Sequence, residues 1–521
     1  MSSTPISRQS HVLSFSRNPL SVATVLALSL LLPACASLKP EPVSPQEVAR
    51  TSAADLQQIR NATEPLNGPL SLEEAIARAI KYNLNRRVRA MEEAVATGQF
   101  DADRYDMLPK LVASAGYRDR NNDLISRSKD SVTGEPSLSH PYISSDRSAT
   151  TTDLGFTWSL LDFGQSYYAA KQNADRSLIA SERRRKATHL LIQDVRSAFW
   201  RAASAQKLRA GVQATIAEAE SALEEARQAE AERLRNPLET LRYQRQLLEN
   251  LRLLENVNQE LSSAQIELAS LVSLPLGTEF QVAEPDQAVA ESWLQVPVEK
   301  MEQQAITRNA DLREAFYNVR IASVEGRRSL LRLFPGLSFN YGLHRSDDSY
   351  LINKRWNDAG VQLSYNLLGL LSLPAQQRLG DAKEKLAEQQ RMATLMAVLT
   401  QVHLSRLQYA NAYQQFQRSD SLWQIDSRIA EHVAKREQAQ TQTRQDRIAN
   451  QTSAILSELR RYQALAQFNA AASKLQASLG LEPELPENPN MPLSEITRAI
   501  GDSMHQWEQG QVFEAAEEAK N

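Results

Sequence analysis

The chain has 521 residues, enough for several compact domains, but only 17 are Gly; Ala, Leu, Gln, Glu and Arg dominate, and these favour long helices over a string of loop-rich domains. Its 59 basic and 62 acidic residues leave a net charge of −3, which gives no electrostatic basis for a nucleic-acid partner. A single Cys excludes an internal disulfide and a cysteine-rich metal site.

At the N-terminus, Arg8 and Arg17 accompany an apolar run from Leu20 to Leu32, followed by Pro33, Ala34 and Cys35. A basic start, a short apolar stretch and a small residue before a cleavage point predict a secretory signal peptide over residues 1–34. The run is too short for a transmembrane helix, which needs about 20 residues. Leu32-Pro33-Ala34-Cys35 resembles a bacterial lipobox, in which the Cys becomes the lipidated first residue, although Pro33 is unusual there. An ordinary signal peptide with an incidental Cys fits the same residues. In a lipoprotein, Ala36 rather than Asp after the Cys implies sorting to the outer membrane. Residues 35–70, rich in Pro and polar groups, predict a lipidated tether and an extended lead-in.

Residues 71–275 form a first repeat. Leu72-Glu73-Glu74-Ala75-Ile76 opens a helical stretch interrupted at Asn83-Leu84-Asn85, and Leu108-Pro109 ends it. The period then switches to two. Leu111, Ala113, Ala115 and Tyr117 alternate with small or polar residues; after a long loop, so do Leu154, Phe156, Trp158 and Leu160. From Gln165 to about Leu234 there is no Pro and only one Gly, Gly211, which predicts a helix of roughly 100 Å. Asn236-Pro237 breaks it and starts a second helix that runs to about Leu274. Leu247, Leu254, Leu261 and Leu268 recur every seven residues along it, with Leu241 and Leu248 on a neighbouring stripe, so the helices wind along one another.

Residues 276–300 read as an equatorial linker, and residues 301–480 repeat the first unit. Asn83 and Asn309, Pro109 and Pro335, and Gly116 and Gly342 are each separated by 226 positions; Gly155 and Gly360, and Gly164 and Gly369, by 205. Several matches in order make duplication the better account. Leu337, Phe339, Tyr341 and Leu343 form the third alternating run and Val361, Leu363, Tyr365 and Leu367 the fourth. A long helix from about Pro374 to the 430s, a turn over 438–443 and a helix ending at Leu479-Gly480 follow, with Ile448, Ile455, Tyr462, Phe468 and Leu475 as its seam. Residues 481–521 read as a C-terminal equatorial segment and tail.

Each alternating run has about the length of a transmembrane β-strand, roughly 9–11 residues. Its second face, small or polar, suits a water-filled lumen. A soluble antiparallel sheet half-buried on a core would alternate in the same way. The export signal and the aromatics near the strand ends (Tyr117, Tyr142, Tyr341, Tyr350 and Trp356) favour the membrane. Four strands leave open edges that lipid does not tolerate, so several chains must share one barrel. The two shorter helices of each repeat together match the long one in length, as a layered tube with two short helices stacked end to end beside one long one requires.

This duplicated order resembles the TolC-like outer-membrane efflux proteins, over about residues 70–480. The resemblance rests on Leu72-x-x-Ala75 to Asn83, Leu108-Pro109, Leu161-Asp162-Phe163-Gly164 and their second-repeat counterparts, with Phe334 before Pro335 and Asn366-Leu367-Leu368-Gly369 as departures. It implies a mainly α fold with a small β part: a homotrimer whose twelve-stranded transmembrane barrel, four strands per chain, continues into a long periplasmic helical barrel of coiled-coil hairpins. It further implies an outer-membrane, lipid-anchored exit duct of a tripartite efflux pump or type I secretion system. Such a duct docks on a periplasmic adaptor (a membrane fusion protein) and an inner-membrane transporter, and is gated at its periplasmic tip. No catalysis and no cofactor are implied.

The resemblance marks Asp446 and Glu239 as gate candidates, Asp446 in a carboxylate ring; Ala449 stands where the family often has a second acid. As a plainer account, Asp446 is a favourable acid in a helix's first turn. The turns supply adaptor-contact candidates, Asn236, Pro237, Leu238, Thr441 and Thr443, and both lack the family's usual Gly. Cys35 is the lipidation candidate. No GxSxG, HExxH, P-loop or dinucleotide fingerprint occurs, and the seven His are not at metal spacing. The rival reading is a periplasmic coiled-coil adaptor or structural linker, which needs no duplicated strand pairs.

Overall fold

The computed structural model describes residues 41–136, 140–232, 237–283, 292–483 and 491–508. The chain divides into two compact units, residues 1–62 and 63–521. The described part of the first holds one helix, α1 (Pro45–Ala62), with no buried residue.

The first repeat runs α2 (Leu72–Tyr82), α3 (Leu84–Asp103), β1 (Lys110–Asp119), a small hairpin of β2 (Ile125–Ser126) and β3 (Tyr142–Ile143), β4 (Ser148–Ser159), α4 (Leu160–Ala231) and α5 (Pro237–Leu271). After the short α6 (Ser292–Gln295), the order returns as α7 (Val298–Arg308), α8 (Ala310–Leu331), β5 (Gly336–Ser346), β6 (Arg355–Ser364), α9 (Leu373–Gln438) and α10 (Arg444–Ser478). The 72 residues of α4 span about 110 Å.

The long helices start earlier than the first Gln or Pro suggests. Ser159 caps α4 by accepting from the amide of Asp162 at 3.2 Å, so Leu160 is helical rather than the end of a strand. Likewise β6 stops at Ser364; Tyr365 lies beyond it and Leu367 opens a 3-10 turn over Leu367–Ser372.

α4 packs against α3 and α8 in its half nearer the strands, and against α5 and α10 in the other; α9 packs on α8 and then on α10. Thus α3 and α5 form one column end to end, α8 and α10 another, and α4 and α9 run unbroken beside them. The joints are built alike. Asn83 accepts from the amide of Arg86 at 3.1 Å and donates to the carbonyl of Leu271 at 3.2 Å. Asn309 accepts from the amides of Asp311 and Leu312 and donates to the carbonyl of Ser478 at 3.1 Å. Each Asn caps the start of one helix and closes the end of another, satisfying orphan groups of both.

The main core lies at this joint level. Ile76, Ile80, Val195, Phe199, Leu268, Met301, Val402, Tyr409 and Leu475 are among its members. The C-terminal segment contributes to it: α11 (Leu493–Glu508) is an amphipathic helix whose Ile500, Met504 and Trp507 are buried there. Leu70 pairs with the linker, its amide donating to Gln281 and its carbonyl accepting from Ala283, both at 2.8 Å. A second cluster joins Leu208 and Val212 to Leu254, Leu261, Ile455 and Tyr462. A third, nearest the hairpin ends, holds Leu223, Leu247, Leu251 and Ile448. The heptad seam is therefore core, whereas Leu241 and Leu248 are half exposed.

Candidate functional site: a two-faced sheet and the hairpin tips

The four long strands form one antiparallel sheet in the order β1-β4-β5-β6. Register decides which residues share a face, because directly paired residues point the same way. Leu111, Phe156, Tyr341 and Ala359 form one row, and Ala113, Leu154, Leu343 and Asn357 the next. Trp158, Phe339 and Val361 extend this apolar face, with the rings of Trp158 and Phe339 stacked at 6.2 Å. The opposite face carries Val112, Gly155, Gly342 and Asp358 in one row, and Ser114, Asp153, His344 and Trp356 in another. Trp356, expected in an apolar girdle, thus lies on the polar face. The outer strands β1 and β6 are exposed along their whole length. The longer loop of the first repeat carries the β2–β3 hairpin.

At the far end of the helices lie the two hairpin tips. The turn between α9 and α10 is closed by Gln440 in the left-handed region, φ 57°, with the amide of Thr441 donating back to the carbonyl of Arg436 at 2.9 Å. The Thr441 hydroxyl donates to the same carbonyl at 3.0 Å. This is a helix end that usually takes Gly. Thr443 and Asp446 are brought together in a capping box: the Asp446 amide donates to Thr443 Oγ1 at 3.1 Å and the Thr443 amide to Asp446 Oδ2 at 3.4 Å, with the Thr443 hydroxyl donating to the same oxygen at 2.7 Å. Asp446 therefore already has a local role. Pro237, Leu238 and Glu239 are exposed in the first turn of α5, on the other hairpin. Cys35 and Asn236 lie outside the described residues.

Sequence reasoning missed a basic pair at the tip. Arg447 of α10 is ion-paired with Glu218 of α4 and with Glu437 of α9, the latter at 3.2 Å. Arg444 donates to Glu225 of α4 at 2.7 Å. These bridges tie three helices together just behind the turn. A signal was present: two arginines in a helix's first turn oppose the helix dipole and call for nearby carboxylates.

Among the described residues no helix is long and apolar enough to cross a membrane, and no cluster of His, Cys, Asp and Glu is placed to hold a metal.

Residues 75–273 match the family model for outer membrane efflux proteins. Solved structures share the fold over most of the chain. The Campylobacter jejuni CmeC outer membrane channel aligns with TM-score 0.61 at 12% identity, covering 82% of this chain and 89% of that one. In fold the chain is similar to TolC-like outer-membrane channels, and over residues 75–273 it is similar in sequence to the outer membrane efflux proteins. The Neisseria gonorrhoeae MtrE outer membrane channel aligns with TM-score 0.59 at 14% identity, covering 81% and 94%. The outer membrane protein VceC of Vibrio cholerae aligns with TM-score 0.57 at 13% identity, covering 78% and 96%. Among curated proteins none matches by sequence. CmeC and MtrE are outer membrane channels, and VceC is an outer membrane protein.

Proposed function

We propose that the protein is an outer-membrane channel, the passive exit duct of a tripartite efflux pump or a type I secretion system. The observation that carries this reading is the pair of fully exposed edge strands, β1 and β6, on a sheet with one apolar face. Open edges in lipid leave backbone groups unpaired at several kcal/mol each. Pairing β6 of one copy with β1 of the next removes every edge, and three copies make a barrel of twelve strands, within the range of outer-membrane barrels. The helices prolong that barrel as a tube into the periplasm. Apolar stripes left exposed on the outer columns fit the same seams: Leu84, Val88, Met91 and Val95 on α3, and Leu379, Leu386 and Leu407 on α9.

In this reading the hairpin tips meet a periplasmic adaptor through Pro237, Leu238, Thr441 and Thr443, together with Asn236, and an inner-membrane transporter supplies the energy. The tip is the gate. Asp446 and Glu239 are its carboxylates, and the Arg447–Glu218 and Arg447–Glu437 bridges hold α4, α9 and α10 in the closed arrangement. Cys35 is the lipid anchor, and residues 35–70 its tether.

Mass measurement in detergent and planar-bilayer recording test the proposal together. A trimer that conducts is the expected result. A monomer, or a trimer that never conducts, would sink it. Intact-mass analysis of membrane-extracted protein tests the anchor, with a lipid adduct expected at Cys35 and none in Cys35→Ala.

A further inference from the structure

The polar face of the sheet holds a group of side chains that neither the gate nor the tips use. His344, two residues before the loop end of β5, stands opposite Asp153 of β4 and Trp356 of β6. Its Nδ1 lies 2.6 Å from Asp153 Oδ1 and its Nε2 lies 3.2 Å from Asp358 Oδ1. The Trp356 ring stacks on the imidazole with centroids 5.2 Å apart and planes 18° from parallel. A glycine makes this geometry possible. Gly342 precedes His344 on the same face and pairs directly with Asp358; a Cβ there would overlap both His344 Nε2 and Asp358 Oδ1. The ring lies across the floor that Gly342 leaves open.

A neutral imidazole carries one N–H and can donate to only one of the two carboxylates, whereas the imidazolium donates to both. Gaining that proton takes the triad from two net negative charges to one. No other charged side chain shares its rows; in the rows on either side of them, on the same face, stand Lys110, aligned with Thr157 and Asn340, and Lys354, opposite Ser346. Arg118, two rows nearer the loops on the same face, is paired with Asp348 at 3.9 Å. Arg345 and Arg355 are on the apolar face.

We propose that Asp153, His344 and Asp358 form a proton-responsive triad on the lumen wall near the outer mouth, which attracts cationic solutes when the imidazole is neutral and attracts them less once it is protonated. This rests on the channel reading above. In a closed barrel each copy presents the same triad at the same level, so the copies act as one ring of charge. Trp356 restricts the ring's rotation and keeps Nε2 on Asp358.

The test is the reversal potential of the purified protein in planar bilayers under a KCl gradient, at about pH 8 and about pH 5.5, both above the ordinary carboxylate range. Halving the triad's charge should lower the cation-to-anion permeability ratio about twofold at the acidic pH. In His344→Gln the ratio should stay constant between the two values. Asp358→Asn, a change at a carboxylate whose side chain is 70% exposed, should lower the ratio at the alkaline pH and blunt the shift. A wild-type ratio that does not move with pH, or a shift retained in both variants, overturns the triad while leaving the channel intact. Bilayers that stay silent overturn the channel reading and the triad with it.

Discussion

The side-chain amide of Asn309 donates to the carbonyl of Ser478 across a gap of 169 positions, at 3.1 Å, while its oxygen caps α8. The joint can be dissected. Asn309→Asp keeps the cap but replaces the donor with a carboxylate facing a carbonyl; Asn309→Ala loses both. Caps are worth about 1 kcal/mol, and a buried carbonyl without its partner costs about 1–3 kcal/mol. Both variants should lower the thermal midpoint followed by circular dichroism in detergent. A midpoint unchanged in Asn309→Asp would remove the donor from the account of the joint.

Gly480 sits immediately behind that joint, with φ 70° and the Arg308 carbonyl where a Cβ would go. Gly277 has φ 83° but nothing within 4 Å. Gly277→Ala should cost only the left-handed penalty, roughly 1–2 kcal/mol. Gly480→Ala adds a collision with backbone that no rotamer relieves, and should reduce the yield of folded protein sharply. Equal melting of the two variants would contradict the close approach of α7 to the end of α10.

At the tip, Arg447→Ala removes both bridges that tie α10 to Glu218 and Glu437. Single-channel conductance should rise, and Glu218→Gln should reproduce part of the increase. Asp446→Ala should change cation preference as well as conductance, because it removes a carboxylate along with the capping box. Conductance identical to wild type in Arg447→Ala would show that the bridges do not hold the gate.

Stability should fall in mild acid. Burial pushes the His189 imidazole down, against the opposing pull of Glu482. The unfolded chain then holds more protons than the folded one between the lowered value and about 6.5, the ordinary imidazole value. Stability is therefore full above about 6.5 and is lost as pH drops through that window. Thermal midpoints at pH values on either side should differ less in His189→Gln than in wild type. An equal difference in both would assign the acid sensitivity elsewhere.

The elements were legible wherever one pattern acts alone. The long helices show as stretches without Pro or Gly, the strands as period two after Leu108-Pro109 and Phe334-Pro335, and the seam as Leu247 to Leu268 every seven residues. Boundaries set by a single side chain were not: Ser159 ends β4 because its hydroxyl takes an amide of α4, and an alternating pattern that continues through Leu160 conceals this. Asn83 and Asn309 stood out as a repeated residue, yet their partners, Leu271 and Ser478, are far off in sequence and belong to the other helix of each column. Arg444 and Arg447 in the first turn of α10 call for carboxylates, but their partners are hidden for the same reason, since Arg447 meets Glu218 only once α4 and α10 lie side by side. His344 looked like one of seven scattered histidines until strand register set it between Asp153 and Asp358.

The columns of each copy differ mechanically. From one side to the other they run α3 with α5, then α4, then α8 with α10, then α9. One flank of the molecule is thus articulated at Asn83, whereas the other is a single uninterrupted rod. In a ring of such copies every seam sets an articulated column against a rod. The break that Asn83 closes in one copy would thus lie beside unbroken helix in the next.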